Sequence, residues 1–150
     1  MAQTLARITL HVVFSTKDRQ PLIHAQIAPR LYAYIGTVAH SEGAVLLAAG
    51  GMPDHVHLLL ALRPAVAPAD LVRTIKANSS RWVKETFEEL REFSWQGGYG
   101  AFSVSTSGID EAKRYIGAQA EHHHSASFQE EFRRILHLNG LEWDEGYVWS

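Results

Sequence analysis

The sequence predicts an α+β fold in which helices cover a four-stranded antiparallel sheet. Short, β-branched apolar segments alternate with stretches in which apolar residues recur at helical spacing, and two of the apolar segments are separated only by a Gly- and Pro-containing turn. No apolar run approaches the roughly 20 residues that a membrane span needs. A chain of 150 residues can bury a core of its own, so we expect one domain, 1–150.

The first two elements are a strand and a helix. Residues 5–14 are apolar and β-branched, which predicts a strand that runs into a polar loop carrying Lys17 and Arg19. From Ile27 the apolar residues recur every three or four positions, which predicts a helix that ends near Gly43.

A hairpin and a second helix follow. Residues 44–49 predict a short strand, residues 50–54 a turn, and the next strand continues to about Leu62. The proline-rich break after it leads into a helix that begins at Pro68, where proline suits the first helical position.

The remaining elements complete the pattern. A loop rich in Gly and Trp precedes a strand over residues 101–105, a third helix starts near Asp110, and residues 128–138 predict one more short helix. The order β-α-β-β-α-β-α is the ferredoxin-like split βαβ pattern with an added C-terminal helix. We therefore expect the main helices on one face of the sheet.

Charge and cysteine content limit the function classes. The net charge of −2 does not favour nucleic-acid binding, but residues 1–84 carry nine basic and four acidic residues, whereas residues 85–150 carry five and twelve. The basic part can face a phosphate backbone, although a solvated face without a partner fits the charges equally well. The absence of cysteine excludes disulfides and thiolate metal sites. No signal peptide is recognisable, so we expect a cytoplasmic protein.

The predicted strand after the hairpin turn carries two histidines one residue apart. Successive side chains of a strand point to opposite faces, so His55 and His57 share one face and Val56 lies on the other. Both imidazoles can reach one metal ion, but a pair on the solvated face of a sheet is the plain alternative. Asp54 is expected to orient a histidine or cap the turn rather than bind metal.

The third predicted helix carries polar residues at a spacing of four. Tyr115, Gln119 and His123 follow one another at this interval and therefore share a helix face. Each has a structural explanation as well, since a helical tyrosine commonly packs in a core and residues 122–124 fit a hydrophilic helix end.

Four segments taken together resemble the single-tyrosine HUH transposases of the smallest bacterial insertion sequences and their REP-associated relatives. They are Met-Pro-Asp-His-Val-His-Leu-Leu at 52–59, Ser-Ser-Arg at 79–81, Trp-Gln-Gly-Gly-Tyr-Gly-Ala-Phe-Ser-Val-Ser at 95–105, and Tyr-Ile-Gly-Ala-Gln at 115–119. A single His-hydrophobic-His motif is weak evidence, but the order and spacing of all four segments make the resemblance specific. It extends from about Phe14 to the C-terminal tail.

The resemblance implies a chemistry. In this family His55 and His57 would bind a divalent metal, Gln119 would supply a further ligand, and Tyr115 would attack single-stranded DNA to form a 5′-phosphotyrosine. Nitrogen and oxygen ligands without thiolates suit Mg²⁺ or Mn²⁺. Asp54 and His123 are candidate accessory residues.

The resemblance also implies partners: single-stranded DNA with hairpins and a second copy of the chain in a homodimer, with no membrane and no nucleotide cofactor. The candidate DNA contacts are cations, namely Lys17, Arg19, Lys76, Arg81 and Lys84. Two alternatives remain open, a domesticated REP-associated nuclease with the same chemistry and a ferredoxin-like DNA-binding module without catalysis.

Overall fold

The computed structural model of the chain describes residues 2–122 and 126–150. Within these residues, four strands form one sheet in the order β2-β3-β1-β4, and every neighbouring pair is antiparallel. This confirms the predicted α+β class and the split βαβ order. The strands are β1 (Ile8–Ser15), β2 (Ala44–Met52), β3 (His55–Leu62) and β4 (Gly100–Ser103). The helices are α1 (Ala28–Ser41), α2 (Pro68–Thr86), α3 (Ile109–Gly117), α4 (Gln119–His122) and α5 (Phe128–Leu138).

The hairpin between β2 and β3 is tighter than the sequence predicts. Strand β2 continues through the two glycines to Met52, which pairs with His55, so the turn consists of Pro53 and Asp54 alone. Strand β3 lies at the centre of the sheet, where His57 pairs with Gly50 on one side and with Val13 on the other. The histidine strand is therefore held from both sides.

Helices α1 and α2 cover one face of the sheet. The side chains of β3 that point to this face are fully buried against apolar residues of both helices. Burying one such aliphatic side chain contributes about 1.5–3 kcal/mol, so this layer fixes the register of the central strands. The main contributors are Val56, Leu58 and Leu60 from β3, Leu31 and Ile35 from α1, and Leu71 and Ile75 from α2.

The opposite face carries the remaining helices. Helix α3 packs on β2, and α5 packs on β1 and β4 through a second apolar cluster that contains Val13, Phe102, Phe128 and Phe132. Antiparallel partners share a face, so these residues lie on the side of the sheet to which His57 points. The sheet is thus covered on both faces, with α1 and α2 on the predicted side and α3 and α5 on the histidine side.

Two glycines let helices approach the histidine face closely. A Cβ added to Gly50 in β2 would lie 2.3 Å from the backbone oxygen of Ile116 in α3. A Cβ added to Gly100 in β4 would lie 2.6 Å from the ring of Phe132 in α5. Any other residue at Gly50 would push α3 away from the sheet, whereas any other residue at Gly100 would displace the rings of Phe132 and Phe102.

The helical segment that carries Tyr115 and Gln119 is broken between them. Helix α3 ends at Gly117, and the N–H of Ala118 bonds to the carbonyls of Arg114 and Tyr115. Helix α4 begins at Gln119, so the single continuous helix expected from the sequence is two short helices. Among the helices described here, none has the length and apolar composition of a membrane span.

Candidate functional site

Two buried imidazoles form the floor of the candidate site. His55 and His57 are both 0% exposed, although each points away from the main apolar core. Strand alternation sends Val56 into that core and sends the two histidines to the opposite face, beneath α3 and α5. Burial of two polar rings is stable only if their nitrogens have partners.

Glu131 of α5 supplies a partner for both rings. Its Oε1 lies 3.1 Å from His57 Nε2 and 3.4 Å from His55 Nε2, and its side chain is 1% exposed. Glu131 lies three positions after Phe128 and four before Ile135, so the three residues share one face of α5. This face packs on the sheet. The helix was predicted, but Glu131 was not recognised as a site residue. The available signal was a carboxylate on the apolar face of an amphipathic helix.

Gln119 and Tyr115 reach the same carboxylate from α4 and α3. The amide nitrogen of Gln119 donates to Glu131 Oε2 at 3.0 Å, and the Tyr115 hydroxyl donates to the same oxygen. Gln119 Oε1 lies 3.0 Å from His55 Nε2. The four residues that the sequence analysis selected as ligands and nucleophile therefore lie together, joined by Glu131.

Each histidine also has a partner on its outer nitrogen. Asp54 Oδ1 lies 2.7 Å from His55 Nδ1, which agrees with the expectation that Asp54 orients a histidine. His11 of β1 lies with its Nε2 2.7 Å from His57 Nδ1 and stacks on that ring. The sequence analysis did not select His11. The other accessory candidate, His123, lies outside the described residues.

Burial and hydrogen bonding shift the pKa values within the site. Burial lowers the pKa of His55, but hydrogen bonds to Asp54, Glu131 and Gln119 outweigh this effect and raise it to about 9. Burial raises the pKa of Tyr115 to about 12, and the hydrogen bond to Glu131 adds to the shift. Burial opposes ionisation of Glu131, but hydrogen bonds from His55 and His57 hold its pKa well below the usual range. Burial and the neighbouring His57 lower the pKa of His11 to about 3.

The donor set fits a divalent cation. One ligand atom from each of His55, His57 and Glu131 can be chosen so that all three lie within 4.8 Å of one another. Ligands around an ion at about 2.1 Å lie roughly 3–4 Å apart, which is close to this arrangement. The amide oxygen of Gln119 faces His55 Nε2 and can complete the set. Nitrogen and oxygen donors with one carboxylate match the preferences of Mg²⁺ and Mn²⁺, and Zn²⁺ can also use them.

Two of the candidate DNA contacts lie at the end of the sheet that carries this site. Lys17 and Arg19 belong to a short 3₁₀ turn directly after β1, whose last residue, Ser15, pairs with His55. Lys17 is exposed, and the guanidinium of Arg19 lies 5.8 Å from the ring centre of Trp149. Of the five candidate contacts, these two lie on the loop nearest to His55 in the sheet register.

The other three cations lie on α2, across the sheet from the histidines. Arg81 donates to the side chain of Asn78 at 3.1 Å, and Lys84 is exposed in the last turn. The Lys76 amine donates to the backbone carbonyls of residues 96–98, and its burial lowers its pKa to about 8. Lys76 thus holds the glycine-rich loop before β4, and the structure does not bring the α2 cations together with the metal donors.

Comparison with known proteins finds relatives over most of the chain. Residues 4–119 match the family model described as "Transposase IS200 like". The chain is 28% identical over 118 residues to the ISDra2 transposase TnpA of Deinococcus radiodurans, an alignment that covers 75% of this chain and 84% of that protein. It is 27% identical over 129 residues to the transposase for insertion sequence element IS200 of Salmonella typhimurium, with 81% and 82% covered.

Solved structures show the same fold. A crystal structure of a Deinococcus radiodurans protein described as a transposase has a TM-score of 0.66 and 27% identity, and the alignment covers 79% of this chain and 95% of that one. A REP-associated tyrosine transposase bound to a REP hairpin has a TM-score of 0.61, with 96% and 93% covered. Its identity is 16%, so this second likeness concerns the fold alone.

Proposed function

Because the chain belongs to the IS200-like transposase family, we propose that it is a metal-dependent enzyme that cleaves and rejoins single-stranded DNA through a covalent tyrosine intermediate. One observation carries the proposal. The hydroxyl of Tyr115 and the metal-facing nitrogens of His55 and His57 all contact a single side chain, Glu131. A single side chain therefore bridges the proposed nucleophile and the proposed cation-binding donors.

The proposed reaction transfers the phosphoryl group of the scissile phosphodiester to tyrosine. The Tyr115 oxygen attacks the scissile phosphorus while Glu131 Oε2 accepts its proton, the bond from phosphorus to the 3′ oxygen breaks, and the leaving 3′ oxygen takes up that proton or one from water. The products are a 5′-phosphotyrosine and a free 3′ hydroxyl. Since the ester keeps the bond energy, a 3′ hydroxyl can later attack it and restore Tyr115, and no ATP is required.

The metal and the protein have separate tasks in this scheme. A divalent cation held by His55, His57, Glu131 and Gln119 would neutralise the non-bridging oxygens of the phosphate. Asp54 holds the ring of His55 in place. A phenol with a pKa of about 12 is a weak nucleophile, and the ionised Glu131 that its hydroxyl contacts can accept the proton only transiently, as it moves on to the leaving oxygen.

The proposed substrate is single-stranded DNA with a hairpin at the ends of a mobile element. A structure with this fold holds a REP hairpin, which supports a folded DNA partner. The identities of 27–28% to insertion-sequence transposases favour a mobile element over the REP-associated role. Both would use the same chemistry. Hairpins that flank the gene favour the first role, whereas palindromes dispersed through the genome favour the second.

We also propose that residues 1–150 act as one catalytic domain within a homodimer. One tyrosine per chain allows one covalent strand at a time, so the exchange of two DNA ends calls for two protomers. The mass of the active species in solution tests this statement. A monomer with full strand-transfer activity would contradict it.

The decisive experiment detects the covalent intermediate. The protein is incubated with Mn²⁺ and labelled single-stranded hairpin DNA, and the products are separated on a denaturing gel. We expect a protein–DNA adduct that Tyr115→Phe abolishes and that the exposed-site control Tyr147→Phe retains. An adduct that persists in Tyr115→Phe, or no adduct with wild-type protein, would refute the assignment.

A further inference from the structure

A histidine outside the candidate ligand set contacts one of its members. His11 belongs to β1 and lies two residues before Val13, the direct pairing partner of His57, so it is a diagonal neighbour of His57 on the same face of the sheet. Its Nε2 lies 2.7 Å from His57 Nδ1, the nitrogen of that ring that faces away from Glu131. The ring centres are 5.0 Å apart.

The direction of this hydrogen bond decides whether His57 can bind a cation. A neutral imidazole has one N–H and one lone pair. Without a cation, the Nε2–H of His57 donates to Glu131 Oε1; for a cation to replace that proton, His57 must keep its remaining proton on Nδ1, so that the lone pair of Nε2 points to where the donor set converges. If the proton is on Nε2, that nitrogen cannot be a ligand. A partner at Nδ1 that accepts a hydrogen bond therefore favours the binding form.

The two histidines of the site have different partners at this position. Asp54 is an acceptor when ionised and holds the outer nitrogen of His55. His11 does the same for His57, but an imidazole can either accept or donate, depending on which of its own nitrogens carries the proton. With its proton on Nδ1, His11 presents a lone pair at Nε2 to His57.

From this geometry we propose that His11 is a positioning residue of the metal site, which accepts the Nδ1 proton of His57 and so directs the Nε2 lone pair of His57 toward the cation. The inference rests on the proposed function, because it presumes that His57 is a ligand. His11 itself touches neither the cation nor the DNA in this scheme. It acts only through the ring of His57.

The competing explanation is that His11 merely fills space. Its ring has aromatic neighbours, with centroids 6.2 Å from Phe102 and 6.1 Å from Tyr115. A phenylalanine would keep this packing and lose the acceptor. A glutamine places an amide group near the position of the lost Nε2 and so keeps an acceptor without the ring. The two substitutions therefore separate packing from hydrogen bonding.

The first measurement is the affinity for Mn²⁺ alone, by calorimetric titration of the full chain without DNA. We expect His11→Phe to weaken Mn²⁺ binding by about 10- to 100-fold, the usual cost of losing an outer partner of a metal ligand, and His11→Gln to stay within about threefold of wild type. The exposed helix residue His40, changed to Phe, serves as the control and should bind as wild type does. Circular dichroism checks that each variant is folded.

Affinity in His11→Phe equal to that of wild type, or His11→Gln as weak as His11→Phe, would overturn the inference. Absence of Mn²⁺ binding by the wild-type chain would instead refute the metal site, and this inference with it.

A second measurement needs no variant. Long-range ¹⁵N–¹H spectra of wild-type protein saturated with diamagnetic Mg²⁺ report which nitrogen of His57 carries the proton. We expect the proton on Nδ1, and a proton on Nε2 would overturn the inference even if His11→Phe failed to fold.

Discussion

Substitution of Gly50 by alanine should slow DNA cleavage without removing the metal. The new Cβ would lie 2.3 Å from the Ile116 oxygen, whereas ordinary contact begins at 3.4 Å, so α3 must move outward by about 1 Å. Tyr115 is the residue before Ile116, and its hydroxyl would move by a similar amount relative to Glu131 and the phosphate. A displacement of about 1 Å in a reacting group can cost about 100-fold in rate, or about 2.7 kcal/mol in the barrier.

The assay is single-turnover formation of the covalent adduct with hairpin DNA and Mn²⁺. Gly36→Ala is the matched control, because its added Cβ would find its nearest neighbour at an ordinary contact distance of 3.5 Å. Gly36 lies in α1, on the face of the sheet opposite the histidines. Mn²⁺ affinity should fall less than the cleavage rate in Gly50→Ala, since His55, His57 and Glu131 do not lie on α3 and only Gln119, in the adjoining α4, would move with it. A folded Gly50→Ala protein that forms the adduct at the wild-type rate would refute the argument that close approach of α3 positions the nucleophile.

Two further predictions concern charge. Glu131→Gln keeps the size of the side chain but removes its charge, so Mn²⁺ affinity measured by calorimetry should fall by more than the roughly 10- to 100-fold typical of an outer partner. The control is Glu130→Gln, a change at the exposed neighbour, which should leave the affinity unchanged. If Glu131→Gln bound Mn²⁺ as tightly as wild type, Glu131 would be excluded as a ligand. Lys17→Ala should flatten the salt dependence of DNA binding by about 0.7–0.9 in slope, the effect of one lost phosphate contact. Lys76→Ala should change this slope less, because the Lys76 amine already donates to backbone carbonyls. A larger change in slope for Lys76→Ala than for Lys17→Ala would show that Lys76 is the stronger phosphate contact.

The fold could be predicted from sequence because its elements are separated by strong local signals. Pro68 begins α2 as expected, and the predicted last helix has the observed bounds, residues 128–138. The errors arise where tertiary contacts override local preference. Gly50 and Gly51 suggest a turn, yet they continue β2. Glycine is needed at both positions because the Ile116 backbone approaches Gly50 and the His55 backbone approaches Gly51 so closely that a side chain has no room. No periodicity reveals such a contact.

The candidate site could be predicted only where a motif carried it. His55 and His57 share a strand, and Tyr115 and Gln119 are close in sequence, so spacing and family resemblance identify them. Glu131 belongs to a helix whose packing face cannot be assigned to this part of the sheet without the fold. The spacing of Phe128 and Ile135 indicates that Glu131, and not the exposed Glu130 before it, lies on the apolar face, but it does not show which part of the sheet that face covers.

His11 illustrates the limit differently. It is 46 residues from His57 in sequence, and its contact depends on the register of β1 against β3. A shift of one residue would turn His11 to the opposite face, among the leucines packed under α1 and α2. The register is fixed by that apolar core, so residues with no chemical role determine which polar groups meet on the histidine face.

The position of Glu131 has a consequence for how the site is assembled. Its Oε1 faces the two imidazoles and its Oε2 accepts from Tyr115 and Gln119, so one carboxylate joins the strand of the candidate metal ligands to the proposed nucleophile. Helix α5 carries this group and is held to the sheet by Phe132 packed over Gly100. A change that lifts α5 should therefore displace Glu131 and affect metal binding and the tyrosine together, whereas a change that lifts α3 should displace Tyr115 and, through α4, Gln119, and leave His55, His57 and Glu131 in place. This difference separates the effects of the two helices on the proposed reaction.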